Sequence, residues 1–338
     1  MKLPPLATTG IGSLPRPGWL AESRQTRVAF TVSPQHHQEA CDDATVLALR
    51  LQERAGLDVV TDGEQRREGF IFHVAGQWEG IDTRTEGLKE VYRKRTNPRM
   101  VPRIVGKVVR RGPAAVEDTR FAKANTGLPL KMAVPGPMTV IDSALNVAYK
   151  DEAELAMDIA AALNAELLEM QAAGADVIQL DEPAMTRYHD KLRDYGAKAL
   201  DRCLEGVKVP TLVHLCYGYP GTGVPQHEYE YTGVLPELMK TRISGFTVEF
   251  GRSAFEPEVL KLAGDRIVVF GCVDPGASPV PSVDSVKRRI EGVLKHLKPS
   301  QLWLSPDCGL MTISRQLAVA KLGVMVEAAK ALRKGLSP

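Results

Sequence analysis

No stretch of this chain approaches the ~18 consecutive apolar residues that a membrane-spanning helix needs, so no membrane span is expected. The opening MKLPPLATTGIGSLPRP lacks the unbroken apolar run of a signal peptide, which points to a cytoplasmic protein. Cysteine is sparse. The five residues, at 41, 203, 216, 272 and 308, are odd in number and far apart, which argues against a disulfide framework and for reduced thiols. Charge of one sign is also lacking. With 43 Lys and Arg against 41 Asp and Glu, the net charge of +2 removes any general electrostatic case for nucleic-acid or membrane partners. What remains is ordinary for a soluble globular protein: 338 residues, 44% hydrophobic and 25% charged. That length suits a single-domain (β/α)8 barrel with insertions, covering 1–338.

Short apolar runs alternate with longer stretches of helical period, as in a parallel sheet with crossover helices. Eight strands are predicted, over 6–13, 57–63, 130–136, 176–182, 211–217, 245–251, 266–272 and 301–307. Helices are predicted over 35–54, 151–173, 283–297 and 313–333. In the second of these, Leu155, Ile159, Leu163 and Leu167 form a stripe, and Gly174 follows as a helix stop. Ser282 or Asp284 is expected to cap the third. The fold class is therefore α/β, a TIM-type (β/α)8 barrel, with residues 70–127 inserted between strands two and three. Within the insertion, RMVPRIVGKVVRRG alternates apolar and basic residues and is expected to form a hairpin. Residues 81–124 hold 12 Lys or Arg and 5 Asp or Glu, which suits either a flap attracting anions or a solvated, subunit-contacting excursion. A homo-oligomer is compatible with the second reading. The Gly-, Pro- and Tyr-rich 218–235 stretch is expected to border the site.

The strand ends carry the chemistry. They reach Ser13, Asp62 and Glu64, Asp181 and Glu182, His214 and Cys216, Glu249, Asp274, and Asp307 and Cys308. Polar residues at the C-terminal ends of barrel strands mark the face on which such enzymes build active sites, although any single Asp there also suits a helix cap. His214 and Cys216, two apart on a strand, point to one face. Together with Glu249 and Cys308 they make a nitrogen, carboxylate and thiolate set suited to Zn²⁺. Two thiolates and a carboxylate around a dication leave a coordinated substrate thiolate nucleophilic, so the set points to alkyl transfer onto sulfur rather than to hydrolysis. Cys41, Cys203 and Cys272, and Met132, Met138 and Met311, have plain packing readings.

The stretches TTGIGSLPR, DVVTDGEQRRE, AVPGPMTV, DVIQLDEPA, VHLCYGY, FTVEFGRS and LWLSPDCGL run in order from residue 8 to about 315. In them the chain resembles the C-terminal catalytic barrel of the cobalamin-independent methionine synthase family, as a short core homologue within the uroporphyrinogen decarboxylase-like superfamily. The resemblance implies that His214, Cys216, Glu249 and Cys308 ligate zinc, that Ser13 binds the carboxylate of homocysteine, and that Glu64 and Asp181 bind its ammonium group. It implies methyl transfer to homocysteine from methyl-folate or a methylcorrinoid protein. Three features depart from the family. The N-terminal barrel of the full-length enzymes is absent, and the 218–235 loop is longer. Gly276 stands where the family has a histidine that assists proton transfer, which weakens the case for folate, whose amine leaves poorly unless protonated. Asp274 is the candidate to replace that histidine. Related short barrels resemble epoxyalkane:coenzyme M transferase, and Arg16, Arg66, Arg67 and the basic insertion suit a sulfonate as an alternative. A zinc-binding accessory protein without turnover is the non-enzymatic alternative.

Overall fold

The computed structural model describes residues 2–21, 28–89, 99–217, 231–253, 256–276 and 278–336. Among them are nine strands: β1 Glu79–Lys89, β2 Arg99–Val109, β3 Lys131–Pro135, β4 Leu145–Asn146, β5 Val177–Asp181, β6 Thr211–His214, β7 Gly245–Glu249, β8 Ile267–Val273 and β9 Leu302–Pro306. Six form one parallel sheet in the order β3-β5-β6-β7-β8-β9.

The two N-terminal strands of the expected eight take part as short bridges. Thr8 pairs in parallel with Leu304 of β9, Thr9 with Val59, and Val60 with Leu130 beside β3. These bridges connect the two edges of the six-stranded sheet and complete a ring of eight staves. Side chains replace ladder bonds in the short staves. Thr61 donates its N–H to Gln52 Oε1 at 2.9 Å, and Gln52 Nε2 donates to Thr61 O at 2.7 Å. At the first stave, Thr8 N donates to Asp58 Oδ2 at 2.8 Å. The buried backbone groups are thus satisfied without regular strand geometry.

Side chains alternate across each stave. One set, with Leu6, Val60, Ile178, Val213, Phe246 and Leu304, belongs to the large core beneath the helices. The other set forms a separate small cluster of Ala7, Val59, Val177, Leu212, Val269 and Trp303. Two residues further along these staves stand Thr9, Thr61, Gln179, His214, Gly271 and Ser305. The barrel interior therefore passes from an apolar floor to a polar layer and then to the strand ends.

Helices His37–Ala55, Glu152–Ala172, Val283–Leu294 and Arg315–Arg333 lie within a few residues of their expected spans. Leu155, Ile159, Leu163 and Leu167 are all fully buried, each contributing about 1.5–3 kcal/mol by leaving water. Asp151 caps the first turn of that helix by accepting from Ala153 N, and Gly174, at φ 108°, turns the chain after it. Ser282, rather than Asp284, caps Val283–Leu294 by accepting from Ser285 N. No described helix is long and apolar enough to cross a membrane.

The insertion 70–127 contains an antiparallel pair, as a hairpin requires, but not the expected one. RMVPRIVGKVVRRG does not fold back on itself. Its first eleven residues form β2, which runs antiparallel to β1 and parallel to β4. Val101, Ile104 and Val108 are buried while Met100, Val105 and Val109 are exposed, and the buried face changes parity between Val101 and Ile104, where the pairing with β1 shifts register between Asp82 and Glu86. Gly80, at φ 85°, permits the close approach of β2, since a Cβ there would lie 2.3 Å from Lys107 O. Lys89 Nζ donates to Ile141 O and Ala144 O, and Arg110 pairs with Glu166 and Glu169, tying the sheet to the barrel wall.

Candidate active site

The C-terminal rim of the ring gathers the predicted metal ligands. His214 ends β6, Cys216 follows two residues on, Glu249 ends β7, and Cys308 lies two residues beyond β9. All four are buried, and one ligand atom from each lies within 4.8 Å of the others. Cys216 Sγ is 3.6 Å from Cys308 Sγ, which is 3.8 Å from His214 Nε2.

Neighbouring groups orient these side chains. Thr247, two residues before Glu249 on the inner face, bonds His214 Nδ1 through its hydroxyl and leaves Nε2 facing the thiols. Glu249 Oε1 accepts from Tyr217 N at 3.1 Å, and Glu249 N donates to the Tyr231 hydroxyl at 2.7 Å. Asp307, adjacent to Cys308, accepts from three successive backbone N–H groups, of Phe250, Gly251 and Arg252. One carboxylate thereby fastens the Glu249 and Cys308 loops together.

The donor set fits a cation. Burial, then the neighbouring Cys216, pushes Glu249 well above the usual carboxylate range. Hydrogen bonding to Cys216 together with burial raises Cys308 well above an ordinary thiol. Burial opposes a charge on His214, yet its hydrogen bond and Coulombic attraction to Cys216 raise it. Acidic groups so crowded resist ionisation, and a divalent ion supplies the charge that lets all of them ionise.

A second group of charges lies beside the first. Asp181, the last residue of β5, is paired in register with His214. Glu64 is buried in a left-handed conformation at φ 54°, rare for a non-glycine residue and a mark of functional sites when the surroundings impose it. Gly12 makes room for it, since a Cβ there would lie 2.4 Å from Glu64 Oε1. Burial, partly opposed by Arg67, pushes Glu64 up to about 7. Fully buried Arg67 sits 3.8 Å from both Glu64 and Asp62. Burial also raises Asp181, against the pull of His214. Ser13 is buried, and its carbonyl accepts from Leu310 N at 2.8 Å, which joins the first stave to the loop after Cys308.

Asp274 lies half-buried after β8, where its Oδ1 accepts from Gly276 N at 2.8 Å and its carbonyl accepts from Lys321 Nζ at 2.7 Å. The arginines considered for a sulfonate already have partners, Arg67 in Glu64 and Asp62. Arg16 donates to the carbonyls of Glu64 and Arg67 at 2.7 and 2.6 Å, and Arg66 pairs with Asp42 and Asp118. Of the expected bordering loop, 218–230 lie outside the described residues, while Tyr231 packs edge-on against Tyr217. Thr247, Gln179 and Lys131 are functional candidates that the sequence does not single out. Their signal is positional, since each shares a stave face with a rim residue or the barrel floor.

Residues 6–331 match the family described as the cobalamin-independent synthase catalytic domain. A methionine synthase of Saccharolobus islandicus is 35% identical over 343 residues, covering 99% of this chain and 97% of its own. One from Sulfurisphaera tokodaii is 33% identical, covering 99% and 95%. Among solved structures, a B12-independent methionine synthase of a Shewanella species, in complex with selenomethionine, superposes with a TM-score of 0.91 at 33% identity, covering 98% of each chain. A methyltransferase from Methanosarcina mazei shares the fold, with a TM-score of 0.64 at 14% identity.

Proposed function

The chain belongs to the cobalamin-independent methionine synthase family, and on that premise we propose that it methylates the sulfur of homocysteine to give methionine. The observation that carries this reading is the buried set His214, Cys216, Glu249 and Cys308 beside the buried carboxylates Glu64 and Asp181. The four ligands would hold Zn²⁺, which when bound lowers the pKa of a substrate thiol so that it is present as the nucleophilic thiolate at neutral pH. Glu64 and Asp181 take the ammonium group, and Ser13 takes the carboxylate, so that the amino acid is held by both ends. A positive ligand group relieves the mutual repulsion of two buried acids, which water does poorly. The Shewanella relative, whose structure holds selenomethionine, supports an amino-acid occupant.

The donor is a methyl-folate or a methylcorrinoid protein. With Gly276 in place of the family's histidine, Asp274 is our candidate to deliver the proton that a departing folate amine requires. A corrinoid leaving group requires none. The commitments of Arg16 and Arg66 to backbone and carboxylate partners disfavour a sulfonate-bearing thiol.

The test is to incubate the zinc-loaded protein with homocysteine or coenzyme M and each methyl donor, and to detect thioether products by mass spectrometry. Methionine is the expected product. A thioether formed only from coenzyme M would overturn the substrate assignment, and metal binding without any turnover would favour an accessory role. Asp274→Asn should slow transfer from folate by about 10²-fold or more, and transfer from a corrinoid hardly at all.

A further inference from the structure

Below the two carboxylates, the barrel interior holds a lysine that the proposed reaction does not use. Lys131 opens β3, in register with Val177 of the apolar floor, and is fully buried. A charged or strongly polar group at that level is costly unless it is bonded. Ala133, two residues along the same face, is small, and the lysine side chain runs up to the polar layer. There Lys131 Nζ donates to Gln179 Oε1 at 2.6 Å. The other end of the same amide, Gln179 Nε2, donates to Asp181 Oδ1 at 2.7 Å.

We propose that Lys131 is a positioning residue for amino-acid recognition: by donating to Gln179 Oε1 it fixes which end of that amide faces Asp181, and so holds the Asp181 carboxylate in the orientation that receives the ligand's ammonium group. The inference rests on the reading of Asp181 as an ammonium-binding residue. A glutamine amide has a donor end and an acceptor end, and rotation about its last torsion exchanges them. Were Oε1 to face Asp181, two acceptors would oppose each other. A lysine nitrogen held by protonation offers donors only, so it accepts the amide in one orientation. Burial, against the attraction of Asp181 and Glu64, pushes Lys131 down to about 7. A neutral amine gains a lone pair and can also accept, so above that titration the Asp181 carboxylate, which accepts from Gln179 Nε2, sets the amide orientation and the lysine N–H follows it.

The test is calorimetric binding to the full chain of L-methionine and of 4-(methylthio)butanoate, which lacks the amino group. Methionine has no thiol, so its binding reports recognition of the amino acid apart from thiol ionisation. The variants are Asp181→Asn, Lys131→Met, Gln179→Met and the Lys131→Met/Gln179→Met double variant. Wild type should prefer methionine. Lys131→Met and Gln179→Met should each weaken methionine binding by about tenfold and leave the analogue unchanged, as expected for one hydrogen bond to a charged group. The double variant should be no worse than either single one, because both remove the same relay. Gln179→Met breaks the relay without a change of charge and carries the same expectation where Lys131→Met does not fold. If Asp181→Asn abolishes the preference while the folded relay variants retain it, the inference is overturned and the reading of Asp181 stands. If wild type shows no preference, or Asp181→Asn retains it, the reading of Asp181 fails and the inference falls with it.

Discussion

At the scale of single residues, the four candidate ligands are oriented by groups outside their own set. Thr247 engages His214 Nδ1 and leaves Nε2 for a metal. Removing such an outer partner costs metal affinity rather than the fold, so Thr247→Val should bind zinc about 10–100-fold more weakly in a chelator competition. Cys308→Ala removes a ligand outright, and elemental analysis should find metal and turnover lost together, while the circular dichroism spectrum persists. Glu64 is held at a cost. Its buried carboxyl is raised from 4.5 to about 7, so the folded state retains a proton that the unfolded chain has released. The stability this contributes is full below about pH 4.5 and is lost as pH rises through about 7, by up to ~1.4 kcal/mol for each pH unit climbed between them. Glu64→Gln should therefore raise the melting temperature of ligand-free protein at pH 8 and flatten its decline between pH 5 and 8. Its affinity for methionine should fall. The four candidate ligands were legible in the sequence because His-x-Cys and DCG are unusual endings for apolar strands. Thr247, Gln179 and Lys131 were not, since a polar residue inside a short strand reads as filler until the staves are closed around it.

At the scale of elements, eight staves were legible from their apolar runs, but two of them are short. At the second, Gln52 takes both the N–H and the carbonyl of Thr61 in place of a neighbouring strand, and at the first Asp58 accepts from Thr8 N. Sequence patterning does not reveal a side chain nine residues away that substitutes for a ladder. Gln52→Leu leaves both buried backbone groups unpaired, and urea unfolding should show a loss of about 2–5 kcal/mol. The insertion does hold an antiparallel strand pair, but its make-up was legible only in part, for a related reason. Alternation within RMVPRIVGKVVRRG identified a strand correctly but not its partner, because Glu79–Lys89 is polar along most of its length and carries little β-pattern of its own. What attaches the insertion is specific bonding at Lys89 and Arg110, which periodicity does not encode.

At the scale of the whole molecule, the ring brings together residues far apart in the chain, Thr8 beside Leu304 and Cys308 beside His214, 94 positions away. The fold class was legible because strand and helix patterns alternate along nearly the entire chain. The occupants of the rim were legible only as ligand chemistry and as family resemblance. Because the candidate ligands come from β6 and the residues after it, β7 and the loop after β9, a metal bound there would also fasten that half of the barrel. A chelator should lower the melting temperature, and saturating methionine should raise stability by about 2.7 kcal/mol at a hundred times its dissociation constant.

The most direct measurement is calorimetric titration of the zinc-loaded protein with homocysteine in buffers of different ionisation enthalpy, which counts protons released per ligand bound. A thiol held as thiolate at this site predicts release of about one proton more for homocysteine than for methionine near neutral pH, and loss of that difference in Cys308→Ala. Binding of homocysteine with no more proton release than methionine, or proton-releasing binding of coenzyme M alone, would contradict the account.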